Sequence, residues 1–151
     1  MSSNSAAADG KRMMLVWVGS LIQNGDRFLL LRRSKSTKNW QKKWQLPGGR
    51  MEWGEAPLKT MKREVMEETG LTVKSPELAG TFTTLIKNGN ATTYHILMVV
   101  YHSRTERTNV RLSDEHDEFK WVTLKEAARM DLLKDLGKFL LEFSRGDGGR
   151  D

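Results

Sequence analysis

No cysteine occurs among the 151 residues, which excludes disulfides and any thiolate metal centre and fits a reducing, cytoplasmic interior. No apolar run approaches the roughly 20 residues that a membrane helix needs. The run Met13 to Ile22, preceded by Lys11-Arg12, is broken by Gly19 and Ser20 and has no small-residue cleavage site after it. It reads as a buried strand, not a signal peptide. Internal repeats and nucleic-acid motifs are missing as well. From Arg27 to Arg50 acidic residues are missing altogether, and Arg27, Arg32, Arg33, Lys35, Lys38, Lys42, Lys43 and Arg50 supply most of the formal +6 charge. That stretch predicts an electropositive wall suited to a polyphosphate, although for most of its lysines a solvated loop is the simpler reading. Arg33 and Arg50 flank a glycine turn and are the candidates for phosphate contact. Basic residues interleave with Trp40 and Trp44 in the manner of RNA-binding surfaces, but no motif supports that class.

What is present describes one domain of about 130 residues, in a chain long enough to bury about 68–70% of its unfolded surface. The expected domain spans 13–143, with disordered tails at 1–12 (MSSNSAAADGKR) and 144–151. Asn24-Gly25 marks a tight turn between the first strand and Arg27 to Arg33, a hairpin. Trp44-Gln45-Leu46 is a short strand; Trp44 suits the core, while Trp40, in a polar loop, is placed to stack on a base. Leu71 to Val73 and Glu77 to Lys87 read as extended, and Thr92 to His102 is a central strand because Ile96 to Val100 is continuously apolar. Phe119 to Val122 is another strand, behind a solvated acidic loop in which His116 is a surface or hydrogen-bonding residue. Thr123 and Glu126 form a capping box. A last helix over about 132–143 places Leu133, Leu136, Leu140 and Phe143 on one face. Hairpins in one half and helices at the middle and end imply an α+β fold with a mixed sheet and helices on its faces.

The chain is organised around Gly49 to Leu71. Pro47-Gly48-Gly49 and Gly54 lead into a helix that Pro57 starts and Gly70 ends. Leu58, Met61 and Val65 recur as its buried stripe. Glu64, Glu67 and Glu68 crowd one face, round from that stripe, and like charges so spaced cost about 0.2–0.5 kcal/mol a pair. A helix needing only solubility would alternate signs. Clustered carboxylates beside a glycine turn suit a hard divalent cation, which takes oxygen ligands and shares them with substrate phosphates. Arg63 can reach Glu67 one turn on, and a folded loop returns Glu55 to Arg63.

Written as Gly, five residues, Glu, seven residues, Arg-Glu, apolar, any, Glu-Glu, any, Gly, apolar, the pattern is filled without mismatch by Gly49, Glu55, Arg63, Glu64, Val65, Glu67, Glu68, Gly70 and Leu71. This resembles the box of the Nudix hydrolases. The resemblance implies an α/β/α sandwich and Mg²⁺, with Mn²⁺ as a substitute, held by Glu64, Glu67, Glu68 and the Gly48 carbonyl. It further implies an acidic residue from the segment 113–122 to complete the metal site or activate water; Glu115 is the choice and Glu118 the rival. Glu64 or Glu115 would take the proton from attacking water, and Arg63 would orient carboxylates. The proline of ADP-ribose pyrophosphatases is absent, since Ile86 and Lys87 stand in its place. Tyr94 lies too late for the tyrosine of dinucleoside polyphosphate hydrolases, and the NADH pyrophosphatase signature is lacking. What remains is the MutT-like group, acting on a nucleoside triphosphate or related small nucleotide. The alternatives are a nucleoside-diphosphate-sugar pyrophosphatase or, in another class, an RNA-binding or non-catalytic nucleotide-sensing module. Homodimers are common among similar proteins; the sequence marks no interface.

Overall fold

The computed structural model describes residues 10–37, 40–88 and 91–149. Among the described residues seven strands and three helices follow in the order β1 (Lys11–Asn24), β2 (Arg27–Arg33), β3 (Trp44–Gln45), β4 (Gly48–Arg50), α1 (Pro57–Thr69), β5 (Lys74–Asn88), β6 (Thr92–Arg104), β7 (His116–Val122), α2 (Leu124–Ala127) and α3 (Leu136–Gly149). All strands join one mixed sheet: its main path runs β3-β2-β1-β6-β5, with β4 paired to β1 and β7 to β2. β1 and β6 are parallel from Lys11–Thr92 to Gln23–Arg104, and every other pairing between these strands is antiparallel. The β1–β2 turn carries Gly25 at φ 64°, the positive value that a two-residue hairpin requires at its first central position.

A helix covers each face. On one side Val18, Ile22, Leu29 and Leu31 meet Met61, Val65 and Leu71 from α1 and its exit. On the other, Leu21, Phe28, Leu30, Ile96, Met98 and Val100 meet Leu136, Phe139, Leu140 and Phe143 of α3. The unbroken apolar run of β6 is thereby accounted for: Ile96, Met98 and Val100 turn to α3, while Val99 packs on the α1 side. This is the α+β sandwich expected from the sequence. Among the described residues no helix is long and apolar enough to cross a membrane.

Several boundaries differ from the sequence reading. β1 begins at Lys11, inside the stretch 1–12 expected as a disordered tail, of which 1–9 lie outside the described residues, and β5 begins at Lys74, ahead of the expected Glu77. Leu71 to Val73 is irregular chain between α1 and β5. β7 opens at His116 and not at Phe119, since it pairs along β2 as far as Arg33–His116 across a register shift. The last helix begins at Leu136, because Leu132 and Leu133 are used against the short strand: the Leu133 N–H donates to the Trp44 carbonyl at 2.9 Å, and Leu132 bridges to Trp44. That helix then continues through Gly149, into the stretch expected to be a disordered tail, since α3 keeps its backbone ladder after its last apolar contact at Phe143.

Candidate active site

Three segments converge where β4 meets β1 and β2 ends. The first is the glycine turn. β4 runs antiparallel to β1 with Gly19 opposite Gly48 and Val18 opposite Gly49. A Cβ on Gly48 would lie 2.5 Å from the Gly19 Cα and from the Val18 carbonyl oxygen, and a Cβ on Gly49 would overlap the Glu64 carboxylate. Glycine is required at both, first by backbone and then by a functional side chain.

The second segment is α1. Pro57 opens it after Ala56, and Gly70 at φ 74° closes it with its N–H on the Met66 carbonyl. Met61, Val65 and Glu68 fall on one side, three and four residues apart. Contrary to the expectation of a carboxylate face well clear of the stripe, Glu68 shares the buried stripe and is only 3% exposed. Its Oε1 accepts a hydrogen bond from the Gly48 N–H at 3.0 Å. Burial holds this carboxyl well above the usual range; the Gly48 N–H opposes that shift and the charges of Glu115 and Glu64 add to it.

Arg63 organises the helix entrance. Its Nε and Nη2 donate to the two oxygens of Glu55 at 2.7 and 3.0 Å, a bidentate fork. Nη1 donates to Glu64 Oε2 at 2.7 Å and reaches Glu67 only at 3.5 Å. Glu55 also accepts from the Thr60 hydroxyl at 2.7 Å and from the Glu52 N–H at 3.1 Å. Led by Arg63, these donors hold the Glu55 carboxyl down at about 2, and the Arg63 guanidinium is pushed up in return. Glu64, held above Gly49, goes the other way: partial burial raises its pKa against the Arg63 hydrogen bond.

The third segment precedes and opens β7. The Ser34 N–H donates to the Glu115 carbonyl at 2.9 Å, and the Ser34 hydroxyl to the Asp114 carbonyl at 3.1 Å. This ties the acidic loop to the end of β2. There Arg33 lies among the charges of Glu115 and Glu68, while burial lowers its own pKa. Glu115 and Glu118, inseparable by spacing, are separated by the fold. Glu115 acts electrostatically on Glu64 and Glu68; Glu118 lies 3.4 Å from Arg32. His116 overturns its expectation, being 3% exposed, with neither ring nitrogen hydrogen-bonded. Burial, and then the Arg33 charge, lower its pKa to about 4.

The remaining candidates divide. Arg50 is exposed beside the glycine turn. Trp44 is core, as expected. Trp40, expected to stack on a base, is half-buried at φ 58° and packs against the α3-side core. The basic wall is partly neutralised, for Arg32 and Lys42 both bind Asp117, at 2.8 and 2.5 Å, and Lys43 binds Asp131 at 2.7 Å. These two donors hold Asp117 down at about 2. Glu67 is not drawn inward; its side chain is 57% exposed. Among the described residues, accordingly, no three acidic or histidine side chains stand close enough together to hold a metal ion as they are. The donor set nevertheless suits a hard cation. Glu68 is a buried carboxylate whose direct partner is one neutral N–H, and Glu64 and Glu115 bring further negative charge against it. A cation among them would offset the cost of that burial.

One feature of the site has no counterpart in the sequence reading. Trp53, at the tip of the turn between β4 and α1, is fully exposed. It borders a cavity of about 380 Å³ that Arg50, Met51, Glu52 and Glu64 also line. The Glu-Trp-Gly-Glu tetrapeptide was the available signal, since a bulky residue before a turn glycine is carried outward.

The NUDIX domain family matches residues 13–143. A solved MutT protein from Methanosarcina mazei is 31% identical, with a TM-score of 0.81 over 90% of this chain and 96% of its own. The "Uncharacterized Nudix hydrolase YvcI" of Bacillus subtilis is 27% identical over 128 residues, 85% of this chain and 78% of that protein. The "Nucleoside triphosphatase NudI" of Escherichia coli is 25% identical over 118 residues, 74% of this chain and 84% of that one.

Proposed function

The chain belongs to the Nudix hydrolase family, and from that premise we propose that it hydrolyses the pyrophosphate linkage of a nucleoside triphosphate or closely related nucleotide in a Mg²⁺-dependent reaction. The observation that carries this reading is the pair of carboxyl groups Glu64 and Glu68, one turn apart on α1 and held against Gly49 and Gly48 respectively. The residues that would hold the metal are Glu64, Glu67, Glu68 and Glu115, with the Gly48 carbonyl. When bound, Mg²⁺ (or Mn²⁺ in its place) neutralises charge on the phosphoryl oxygens and lowers the pKa of a bound water.

The chain's own groups do the rest. Arg63 keeps Glu64 Oε2 occupied at 2.7 Å, so Oε1, over Gly49, is the oxygen left to accept a proton from the attacking water. Glu115 is the second acceptor within the same field. Arg33 and Arg50 bind the phosphates on either side of the glycine turn. The Glu55–Arg63–Thr60 cluster sets the geometry without touching substrate, so Arg63 and Glu55 are positioning residues. A nucleoside triphosphate is preferred as substrate because the triphosphatase from E. coli is among the relatives. The cytoplasmic setting inferred from the missing cysteines belongs to the same proposal. A product-release assay with Mg²⁺ over nucleoside triphosphates, dinucleoside polyphosphates and nucleoside diphosphate sugars tests it. Turnover confined to the sugars would replace the substrate class, and binding without turnover of any would indicate a sensing module.

A further inference from the structure

We propose that Trp53 is the stacking platform for the nucleobase, so that the site selects nucleotides over phosphate compounds without an aromatic ring. The proposal rests on the phosphate-cleaving reading of the neighbouring carboxylates and adds the group that recognises the other end of the substrate.

Single exposed apolar residues on loops are ordinary and ask for no explanation. Trp53 differs in three ways. First, its exposure is complete, so its large apolar ring serves nothing in the fold. Second, it does not sit on loose chain. The Glu55 N–H donates to the Glu52 carbonyl at 3.0 Å, and Gly54 stands at φ 81°, so residues 52 to 55 form a tight turn with Trp53 at its first central position and glycine where a positive φ is needed. The Glu55 carboxylate returns to the Glu52 N–H at 3.1 Å and is locked by Arg63 and Thr60. An aromatic ring carried on a clamped turn loses little freedom when it binds. Third, the ring borders the same cavity of about 380 Å³ as Glu64 and Arg50, a volume in the range of small-molecule sites. A ligand whose phosphates meet Arg50, and the cation that Glu64 would hold, therefore has Trp53 at the margin of its pocket. A purine or pyrimidine is the part of a nucleotide that gains from an indole face. Trp40, the other candidate for that role, is committed to the core.

The test uses the full chain with Mg²⁺ and compares wild type, Trp53→Ala and Trp53→Phe. GTP and CTP are the substrates; inorganic tripolyphosphate, with the phosphates but no ring, is a competitive inhibitor. Since Trp53 touches nothing in the core, both variants should melt with the wild type. Trp53→Ala should raise KM for GTP about tenfold, within the range that base–aromatic stacking spans. Tripolyphosphate inhibition should stay unchanged, and Trp53→Phe should recover most of the loss. GTP should also quench indole fluorescence in the wild type and less so in Trp53→Phe. Unchanged KM in Trp53→Ala overturns the inference while wild-type turnover keeps the phosphate reading intact. Equal weakening of GTP and tripolyphosphate overturns it too, because the turn and not the ring would then be at work. A wild type that neither binds nor cleaves any of the three removes both readings together.

Discussion

Adding one methyl group at Gly49 should separate activity from stability, and adding one at Gly48 should not. A Cβ on Gly49 would overlap Cδ, Oε1 and Cγ of Glu64. These atoms belong to a flexible side chain, so the glutamate can swing aside by about 1 Å or more to reach van der Waals distance. The swing breaks its 2.7 Å hydrogen bond from Arg63. A hydrogen bond to a charged group contributes about 1.5–3 kcal/mol; with the Arg63 side chain 26% exposed, solvent reduces that to about 1 kcal/mol. In a domain of this size such a loss lowers Tm by about 2–4 °C. Activity should suffer far more, since misplacing a catalytic group by about 1 Å costs on the order of 100-fold. In Gly48→Ala the methyl instead meets the Gly19 Cα and the Val18 carbonyl, both backbone of β1. Those atoms cannot turn away, so the β1–β4 pairing opens and stability falls first. Thermal melts and kcat/KM on both variants decide the matter. A Gly49→Ala protein that turns over at the wild-type rate, or that melts as early as Gly48→Ala, would refute the placement of Glu64 and its role.

Other outcomes follow from the same geometry. Glu68→Gln keeps the shape and the Gly48 hydrogen bond, so it should fold normally and lose turnover by about 100-fold or more; near-normal kcat would remove Glu68 from the site. Glu55 has a folded pKa of about 2 against an ordinary 4.5, so its stabilisation is present above about pH 4.5 and lost as pH falls towards 2. Acid titration of Glu55→Gln should show a shallower loss in that window, and an unchanged slope would count against the Arg63 clamp. His116 is also depressed, to about 4 from 6.5, so the protein loses stability as pH falls from 6.5 to 4, by at most about 3 kcal/mol. Urea midpoints at pH 7 and pH 5 should lie closer together in His116→Leu than in wild type.

Local order and spacing carried much of this protein in its sequence. Pro57 and Gly70 bound α1, Gly25 bends the first hairpin, Ile96 to Val100 makes β6 central, and the interval from Gly49 to Leu71 marks the family. All but the last depend on neighbours close along the chain, and the last on a fixed spacing through one loop and one helix, so the sequence itself specifies the distance. Contacts between distant segments were decided only in the tertiary structure. Glu115 lies within electrostatic reach of Glu64 and Glu68 while Glu118 goes to Arg32, because Ser34 holds the acidic loop at the end of β2. Glu68 is buried because the β4 turn, and not water, lies against its side of α1. His116 loses water and Trp40 joins the core for the same reason, since burial is set by which strand or helix is laid across a residue. Trp53 is left outside because the clamp of Arg63 on Glu55 turns the chain back before anything covers it.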